Sequence, residues 1–346
     1  MPPFEVVTPA PRAAWHALLA EDPTSLITQT PEWLDCITTI SPYHDTSRLY
    51  RFDDGRQVLL PMVGRLPGPV SIEASWPFDW GIGGPVVDGT IGARHTEAIY
   101  ADLVAQHALR LTFRPGPFAD PAWRAVPSPF RATEHTTQIV DLDGGFAQAW
   151  SHRFSGNVRR AVRKAERADL EVEVAQGNRL IDVFHDLYLH SIRRWARQRH
   201  EPHVLALLRA HHANPRRKFH AVARRLGERC AVWVATTAGE PAAAIIVLRH
   251  GRHAKYWRGA MNVELANPAR ANDLLHRLAI EDACAAGCRY YHMGDSRPAS
   301  GLARFKAGFG ARAYRTDAYR YERLPFTELE TRLRSTVKRC LRFRDR

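Results

Sequence analysis

The run Ala271–Ala286 has helical spacing, Gly287 stands where a helix ending in the left-handed conformation places its C′ residue, and Arg289–Met293 follows at once as a strand. The same order of helix, short turn and strand occurs once before, at His95–His107 and Leu109–Arg114. A helix that passes into a strand within a few residues must pack on the sheet that the strand joins. Strand-like runs precede both units. Before the second come Cys230–Thr236, then Ala242–Arg249 across the turn Ala238-Gly239-Glu240-Pro241, then His253–Met261. Before the first comes a hairpin of Arg48–Phe52 and Gln57–Val63 around Asp53-Asp54-Gly55. The expected fold class is α/β (α+β), with mixed central sheets flanked by helices and the same plan used twice.

The other segments fit this plan. Helices are expected at Arg12–Leu19 and from Glu32 onward, where Thr30 can cap and Pro31 takes the first helical position. Two more are expected at Asn157–Ala168 and Leu180–Arg197, while His200–Leu226 reads as helix and loop. Thr136–Leu142, Leu170–Val174 and the alternating Ala311–Arg323 read as strands, and Asp143-Gly144-Gly145 marks a boundary between halves. A chain of 346 residues, 45% of them hydrophobic, can bury two cores. No apolar run reaches membrane-spanning length, and MPPFEVVTPAPRAAW has neither the charged nor the apolar region of a secretory signal. Cys284 and Cys288 share a helix face, yet no second pair completes a zinc spacing, so the five cysteines read as free thiols in a reducing cytoplasm. His200, His203, His211, His212 and His220 show no ligand rhythm with carboxylates, and no metal is expected.

The formal net charge of +13 points to a polyanionic partner: nucleic acid, a nucleotide-bearing substrate or an anionic membrane. An Arg- and Ala-rich composition of the kind a GC-rich genome produces accounts for part of it. The basic residues nevertheless cluster. Arg159, Arg160, Arg163, Lys164 and Arg167 surround an apolar stripe of Val158, Ala161, Val162 and Ala165, which suits a solvated outer face or a phosphate-contacting one. Near the carboxy terminus Thr327 and Glu330 form a capping-box pattern. The stripe Leu329, Leu333, Val337 and Leu341 follows, with Lys338 and Arg339 among the basic residues on the other faces. Contact with nucleic acid, a helix lying on a membrane surface and a docked surface helix all fit that pattern.

Two loops carry the remaining chemistry. Ser75–Val87, SWPFDWGIGGPVV, combines two tryptophans, Asp79 and three glycines, too irregular for a long strand. Glycine there permits close approach by a ligand, and a packed structural loop fits equally. Met293–Gly310 leaves a strand end through Gly, Asp, Ser and Pro and enters a short apolar-periodic segment of Leu302, Phe305 and Phe309. Lys306 is thereby delivered to the carboxyl end of a strand, a common place for active sites in α/β proteins. A solvated lysine on an amphipathic turn accounts for the spacing as well.

Taken together, TPEWLDCI, WGIGG, NVRRAVRKAE, KYWRGAM and GLARFKAGFGA resemble the FemABX-like acyltransferases of the GNAT superfamily. That group holds aminoacyl-tRNA-dependent peptidyltransferases and acyl-CoA-using relatives of the CelD-like kind. The resemblance implies tandem GNAT-like domains: residues 1–142 on the acceptor side, 143–317 for acyl transfer on the donor side, and 318–346 returning to the first. It implies that Lys306 stabilises the acyl carbonyl, with Phe305 shaping the site and Tyr256 and Trp257 on the strand that flanks the acyl group. It places Asp79 at the acceptor amine; as a general base Asp79 is weaker, because an unshifted Asp is a poor base near neutral pH. Trp80, Gly83, Asp295 and Arg304 are further candidate substrate contacts in the same two loops. Arg159, Arg160, Arg163 and Lys164, with Lys338 and Arg339, would meet donor phosphate or RNA.

One departure separates this chain from acetyl-CoA-dependent relatives. Their glycine-containing loop after the third strand binds pyrophosphate through backbone N–H groups at a helix start. Here the connection reads NVELANPARAND, with no glycine after Gly259 and with Pro268 inside it. The expectation is therefore a cytoplasmic monomer that uses charged tRNA as co-substrate, needs no cofactor, and aminoacylates a peptide-like or peptidoglycan-precursor amine. A weak anionic membrane contact through the last helix is part of that expectation. An acyl-CoA N-acyltransferase of the same fold is the alternative, and a non-catalytic RNA- or membrane-binding protein on this scaffold is a third.

Overall fold

The computed structural model describes residues 4–66, 71–106, 108–325 and 327. The first half contains β1 (Phe4–Val7), α1 (Arg12–Glu21), α2 (Pro31–Ile40), β2 (His44–Asp45), β3 (Arg48–Phe52), β4 (Gln57–Leu60), β5 (Val63–Arg65), β6 (Ile72–Ala74), β7 (Val86–Val87), α3 (Ala93–Ala105), β8 (Arg110–Phe113), α4 (Asp120–Arg124) and β9 (Arg131–Asp141). The second continues with α5 (Gly145–Gln148), α6 (Gly156–Glu166), β10 (Glu171–Gln176), α7 (Ile181–Arg199), α8 (His203–Ala213), α9 (Arg216–Leu226), β11 (Cys230–Thr237), β12 (Glu240–His250), β13 (His253–Met261), α10 (Val263–Ala269), α11 (Ala271–Ala285), β14 (Tyr290–Asp295), α12 (Gly301–Gly308) and β15 (Arg312–Glu322).

Local chemistry sets several of these boundaries. Thr30, Ser155 and Ser300 accept hydrogen bonds from the backbone N–H groups of Trp33, Val158 and Ala303, and so cap α2, α6 and α12. Two expectations change. His200–Leu226 holds two helices, not one: His200 ends α7 at φ 54°, and Pro202 and Pro215 stand just before α8 and α9, where proline's missing N–H is not needed. The connection after β13 is itself helical. Asn262 caps α10 by accepting from the Glu264 N–H at 3.2 Å, and the helix ends at Arg270 in the left-handed region just after Pro268 removes a backbone donor.

The large sheet has eleven strands in the order β10-β11-β12-β13-β14-β9-β15-β8-β6-β5-β2, and a small sheet has the order β1-β3-β4-β7. Strands β10 to β13 form an antiparallel meander, and β13 pairs in parallel with β14. Beyond that, the halves interleave. β9, the last strand of the first half, lies between β14 and β15; β15, the last strand of the second, lies between β9 and β8. Each half thus completes its sheet with the other's final strand.

Core packing crosses the same junction. Trp33 on α2 is fully buried and stands edge-on to Trp80, 5.6 Å between ring centres, and to Trp257 on β13, 5.4 Å away. Its indole N–H donates to the Trp80 carbonyl at 3.1 Å. The Ser75–Val87 loop is tied down on the same side. Trp76 Nε1 donates to the Thr28 carbonyl at 2.5 Å, Thr28 Oγ1 to the Ile82 carbonyl at 2.6 Å, and Gln29 Nε2 to the Gly84 and Pro85 carbonyls. A Cβ at Gly83 would run into the carbonyl of Ser75. Gly83→Ala is therefore expected to cost about 1–3 kcal/mol by overpacking. Gly116→Ala, with nothing within 4 Å of the new carbon, should stay within about 0.5 kcal/mol of wild type. Urea unfolding midpoints of the two variants check this difference.

Candidate active site

The parallel ladder between β13 and β14 has three rungs, His253–Tyr290, Ala254–Tyr291 and Lys255–His292. Beyond Lys255 and His292 the strands part, and polar groups of β13 and β14 that pair elsewhere in the sheet are free to meet other partners. Lys306 occupies the β14 side of this opening. α12 is seated by Phe305 and Phe309, 5.3 Å apart, with Phe309 against Phe154 and both rings beside His276. That packing carries the Lys306 side chain inward until it is 2% exposed. Its ammonium donates to the carbonyls of Gly294 at 2.9 Å and Asp295 at 2.7 Å. The register of β14 on β9 shifts at this point, and Gly294 takes φ +75°, so the strand turns where lysine meets it. Burial lowers the Lys306 amine to about 8, with Asp295 opposing the drop and Lys255 adding to it. Lys306 is a buried, oriented cation and not a solvated surface charge.

Around it lie groups whose protonation is fixed near neutrality. Burial, then the Lys306 charge, push His276 down to about 3, so it is neutral and holds a 3.2 Å contact with the Tyr291 hydroxyl. Burial pushes the Tyr256 phenol up to about 12, and its ring stands edge-on to His276 at 4.7 Å. The Tyr256 hydroxyl lies against the backbone of Gly259, where a Cβ would collide with it.

Phe305 also faces outward into a cleft of about 300 Å³ lined with Val158, Arg270, Asp273, Arg304 and Gly308. Asn157 and Arg270 are shared with an adjoining cleft of about 490 Å³, lined further by Arg160, Lys164 and Asn267. Together they make a groove between α6 and the start of α11 whose cations are Arg160, Lys164, Arg270 and Arg304. Arg163 is exposed on the same helix. Arg159 is spent internally: its Nη1 donates to the carbonyls of Trp150, Ser151 and Phe154 at 3.1, 3.0 and 2.8 Å, holding the chain that leads into α6. Lys338 and Arg339 lie outside the described residues.

The face of β13 and β14 turned to the first half carries a second set. Asp295 accepts from both Nη atoms of Arg114, at 2.7 and 3.0 Å, and Arg114 also donates to Thr316. Burial pushes the Asp295 carboxyl up, but Arg114 outweighs it and holds it below its usual range. Asp79, at φ 72°, pairs with Arg258 at 2.8 Å and accepts from Asn214 Nδ2 at 2.5 Å. Lys218 on α9, fully buried, donates to the Asp79 carbonyl at 3.0 Å and to Asn214 Oδ1 at 2.9 Å, and sits 4.3 Å from the centre of the Trp80 ring. Burial, then the nearby Arg258, lower its amine to about 7. Trp80 and Trp257 are each 5% exposed, within the core around Trp33, and Gly83 packs on the backbone of Ser75.

Lys306, Phe305, Tyr256, Asp295 and Arg304 therefore gather at the strand opening and its groove, with Arg160 and Lys164 along the rim. Asp79, Trp80 and Trp257 belong to the junction between halves, joined to β13 through Arg258. Lys255, Arg114, Lys218, Arg270 and His276 were not singled out in the sequence. Lys255 alone had a usable signal, since strand alternation in KYWRGAM puts it on one face with His253 and Trp257. Among the described residues no group of His, Cys, Asp or Glu is placed to hold a metal ion, and no helix is long and apolar enough to cross a membrane.

Residues 152–307 match the family model described as an acetyltransferase (GNAT) domain. At the level of sequence no curated protein matches the chain. Among solved structures, FemX matches with a TM-score of 0.64 at 13% identity, over 90% of this chain and 96% of that one. The C-terminal domain of an Agrobacterium fabrum protein assigned as a lysylphosphatidylglycerol synthetase matches with 0.53 at 14% identity, over 93% and 97%. The L-PGS of Bacillus licheniformis matches with 0.51 at 13% identity, over 93% and 96%. At these identities the structures speak for the fold, and the family model covers the segment that holds Lys306 and the strand opening. Residues 152–307 form a GNAT-type acyltransferase domain, and the chain is folded over nearly its whole length like FemX.

Proposed function

We propose that the chain transfers an aminoacyl group from an aminoacyl-tRNA to an amine, forming an amide bond. The observation that carries this reading is the donor side of the opening. Where a pyrophosphate-binding loop would present glycine N–H groups, this chain has α10 and the left-handed Arg270, and beside them lies an open groove with four cationic side chains. Long, exposed arginine and lysine side chains along a helix suit a nucleic-acid backbone better than one compact diphosphate. The fold shared with FemX and with lysylphosphatidylglycerol synthetase supports the same donor class. In this reaction the acceptor nitrogen attacks the ester carbonyl, the bond from that carbon to the ribose oxygen breaks, and the amine proton leaves while the ribose oxygen gains one. Charge develops on the carbonyl oxygen. Lys306 has three N–H donors, two held by the Gly294 and Asp295 carbonyls, which orients the third without reorganisation. Tyr256, protonated at neutral pH, is a donor available to the leaving oxygen.

A second reading has its own observation: the matching family model is described as an acetyltransferase, which favours an acyl-CoA donor. Incubation with a mixture of charged tRNAs, and separately with acyl-CoAs, separates the two. RNase-sensitive transfer supports the first, and RNase-indifferent transfer from CoA sinks it.

Lys306→Ala is expected to lower kcat by roughly 10²–10³ with the fold intact, as circular dichroism would verify. The rate should rise with pH as the acceptor amine loses its proton, then fall as Lys306 loses its charge above about 8. That alkaline limb should be missing from the residual activity of the variant. Replacing Arg160 and Lys164 together by Ala should raise the donor KM, leave kcat nearly unchanged, and flatten the log–log salt dependence of donor binding by roughly 1.5.

A further inference from the structure

Lys255 is the last paired residue of β13 before the strands part. It shares a face with His253, whose Nε2 donates to the Pro23 carbonyl at 2.9 Å, so that face is turned to the first half of the chain. The residue is 8% exposed. The charges nearest to it are Asp295, Arg114, Arg258 and Lys306. Both carboxylates of this neighbourhood are already taken, Asp295 by the two Nη atoms of Arg114 and Asp79 by Arg258 and Asn214. Lys306 is held by two carbonyls. Among the described residues the Lys255 ammonium has no hydrogen-bond or ion-pair partner.

A nearly buried ammonium without a partner is costly, and the cost is recovered when an anion arrives. The charges acting on Lys255 are Arg114, Arg258, Lys306 and one carboxylate, Asp295, already paired with Arg114, so the missing charge is negative. A single ammonium on a residue only 8% exposed suits a monoanion, while the side chains able to surround a phosphate line the groove along α6. We propose that Lys255 receives a carboxylate of the acyl acceptor, which makes the acceptor an amino acid or short peptide with its amine a few atoms from that carboxylate. The proposal rests on amide formation at the Lys306 opening. Lys255 lies on the first-half face of β13 and Lys306 bonds the turned carbonyls of β14, so an acceptor held at its acid end presents its amine to a carbonyl at Lys306. Burial lowers the Lys255 amine to about 8, which leaves it mostly charged at neutral pH and able to bind an anion.

Isothermal titration with glycylglycine and glycylglycinamide, which differ at the carboxylate, tests this without turnover. Wild type is expected to bind the acid about tenfold more tightly than the amide. Lys255→Met should bind both alike, and Lys255→Arg should recover the preference. Equal binding of the two probes by wild type, failure of both to bind, or a preference that survives in Lys255→Met overturns the proposal. Lys255→Met removes a buried charge and should melt no lower than wild type. In turnover, it should raise KM for glycylglycine and spare kcat; a kcat loss common to both acceptors would make Lys255 a proton acceptor and overturn the binding role. If the acid preference depends on Lys255 while no tRNA or CoA donor is consumed, the donor reading fails and the carboxylate site stands.

Discussion

The pairing of β9 with β14 and of β15 with β8 is the constraint on which the rest depends. Because each half borrows the other's final strand, neither sheet is complete alone, and the opening between β13 and β14 is fixed from outside its own domain. β9 backs β14 up to Asp295 through the register Gly294–Gln138 and Asp295–Thr137. The two carbonyls that hold Lys306 are therefore placed by a strand from the first half. Arg114, just past β8, reaches Asp295 across the same seam, and Thr316 of β15 joins it. A site built this way is stiff. Moving one carbonyl would disturb two strand pairings and an ion pair, and stiffness is what an electrostatic site needs if it is to act without rearranging.

The seam also explains the number of buried cations. Lys218, Lys255 and Lys306 all have amines lowered by burial, to about 7, 8 and 8. Each would be charged to a higher pH in an unfolded chain, so in the interval from about pH 7 to the ordinary lysine range of about 10 the unfolded state binds more protons and these groups favour folding more as pH rises. At neutral pH they do the opposite. Lys218 offsets that cost with three oxygens and the Trp80 ring, and Lys306 with two carbonyls. Lys218 pins α9 and the Asp79 loop together, so its oxygens are protein oxygens and its function is complete in the folded chain. Lys255 differs only in lacking such oxygens, which is why the same physics reads as structure in one lysine and as a vacancy for substrate in another.

Much of the architecture was legible from local signals. Thr30-Pro31 announces a helix start through capping chemistry that needs no tertiary context, and Gly287 marks the end of α11. Lys306 was singled out by its place after a strand end and by the GLARFKAGFGA resemblance, while the spacing alone fitted a solvated lysine equally; its burial is set by the packing of α12. α10 was hidden because Pro268 and the absence of glycine look like a loop when read singly, while Asn262 caps a helix short enough to tolerate a proline near its end. The return of residues 318–346 to the first half was expected only from the family resemblance, and local pattern could not show the strand exchange, since β9 and β15 would alternate the same way whichever neighbours they joined.

The groups that decide the chemistry were the least legible, for a physical reason. Arg159 and Arg160 are adjacent in sequence, yet one caps three carbonyls and the other lines a groove, because successive positions on a helix point about 100° apart. Asp79 and Asp295 both looked like free carboxylates in glycine-containing loops. Their partners, Arg258 and Arg114, are far away in the chain, and pairing turns each acid from a candidate base into the holder of an arginine. With the acids satisfied, what is left over at the opening is positive charge, carried by Lys255 on one face and by the third N–H of Lys306 on the other. A transferase that makes amides has two negative features to accommodate, an oxyanion that exists briefly and any acid carried by its substrate. The fold provides one cation for each, Lys255 on the β13 side and Lys306 on the β14 side of a single opening.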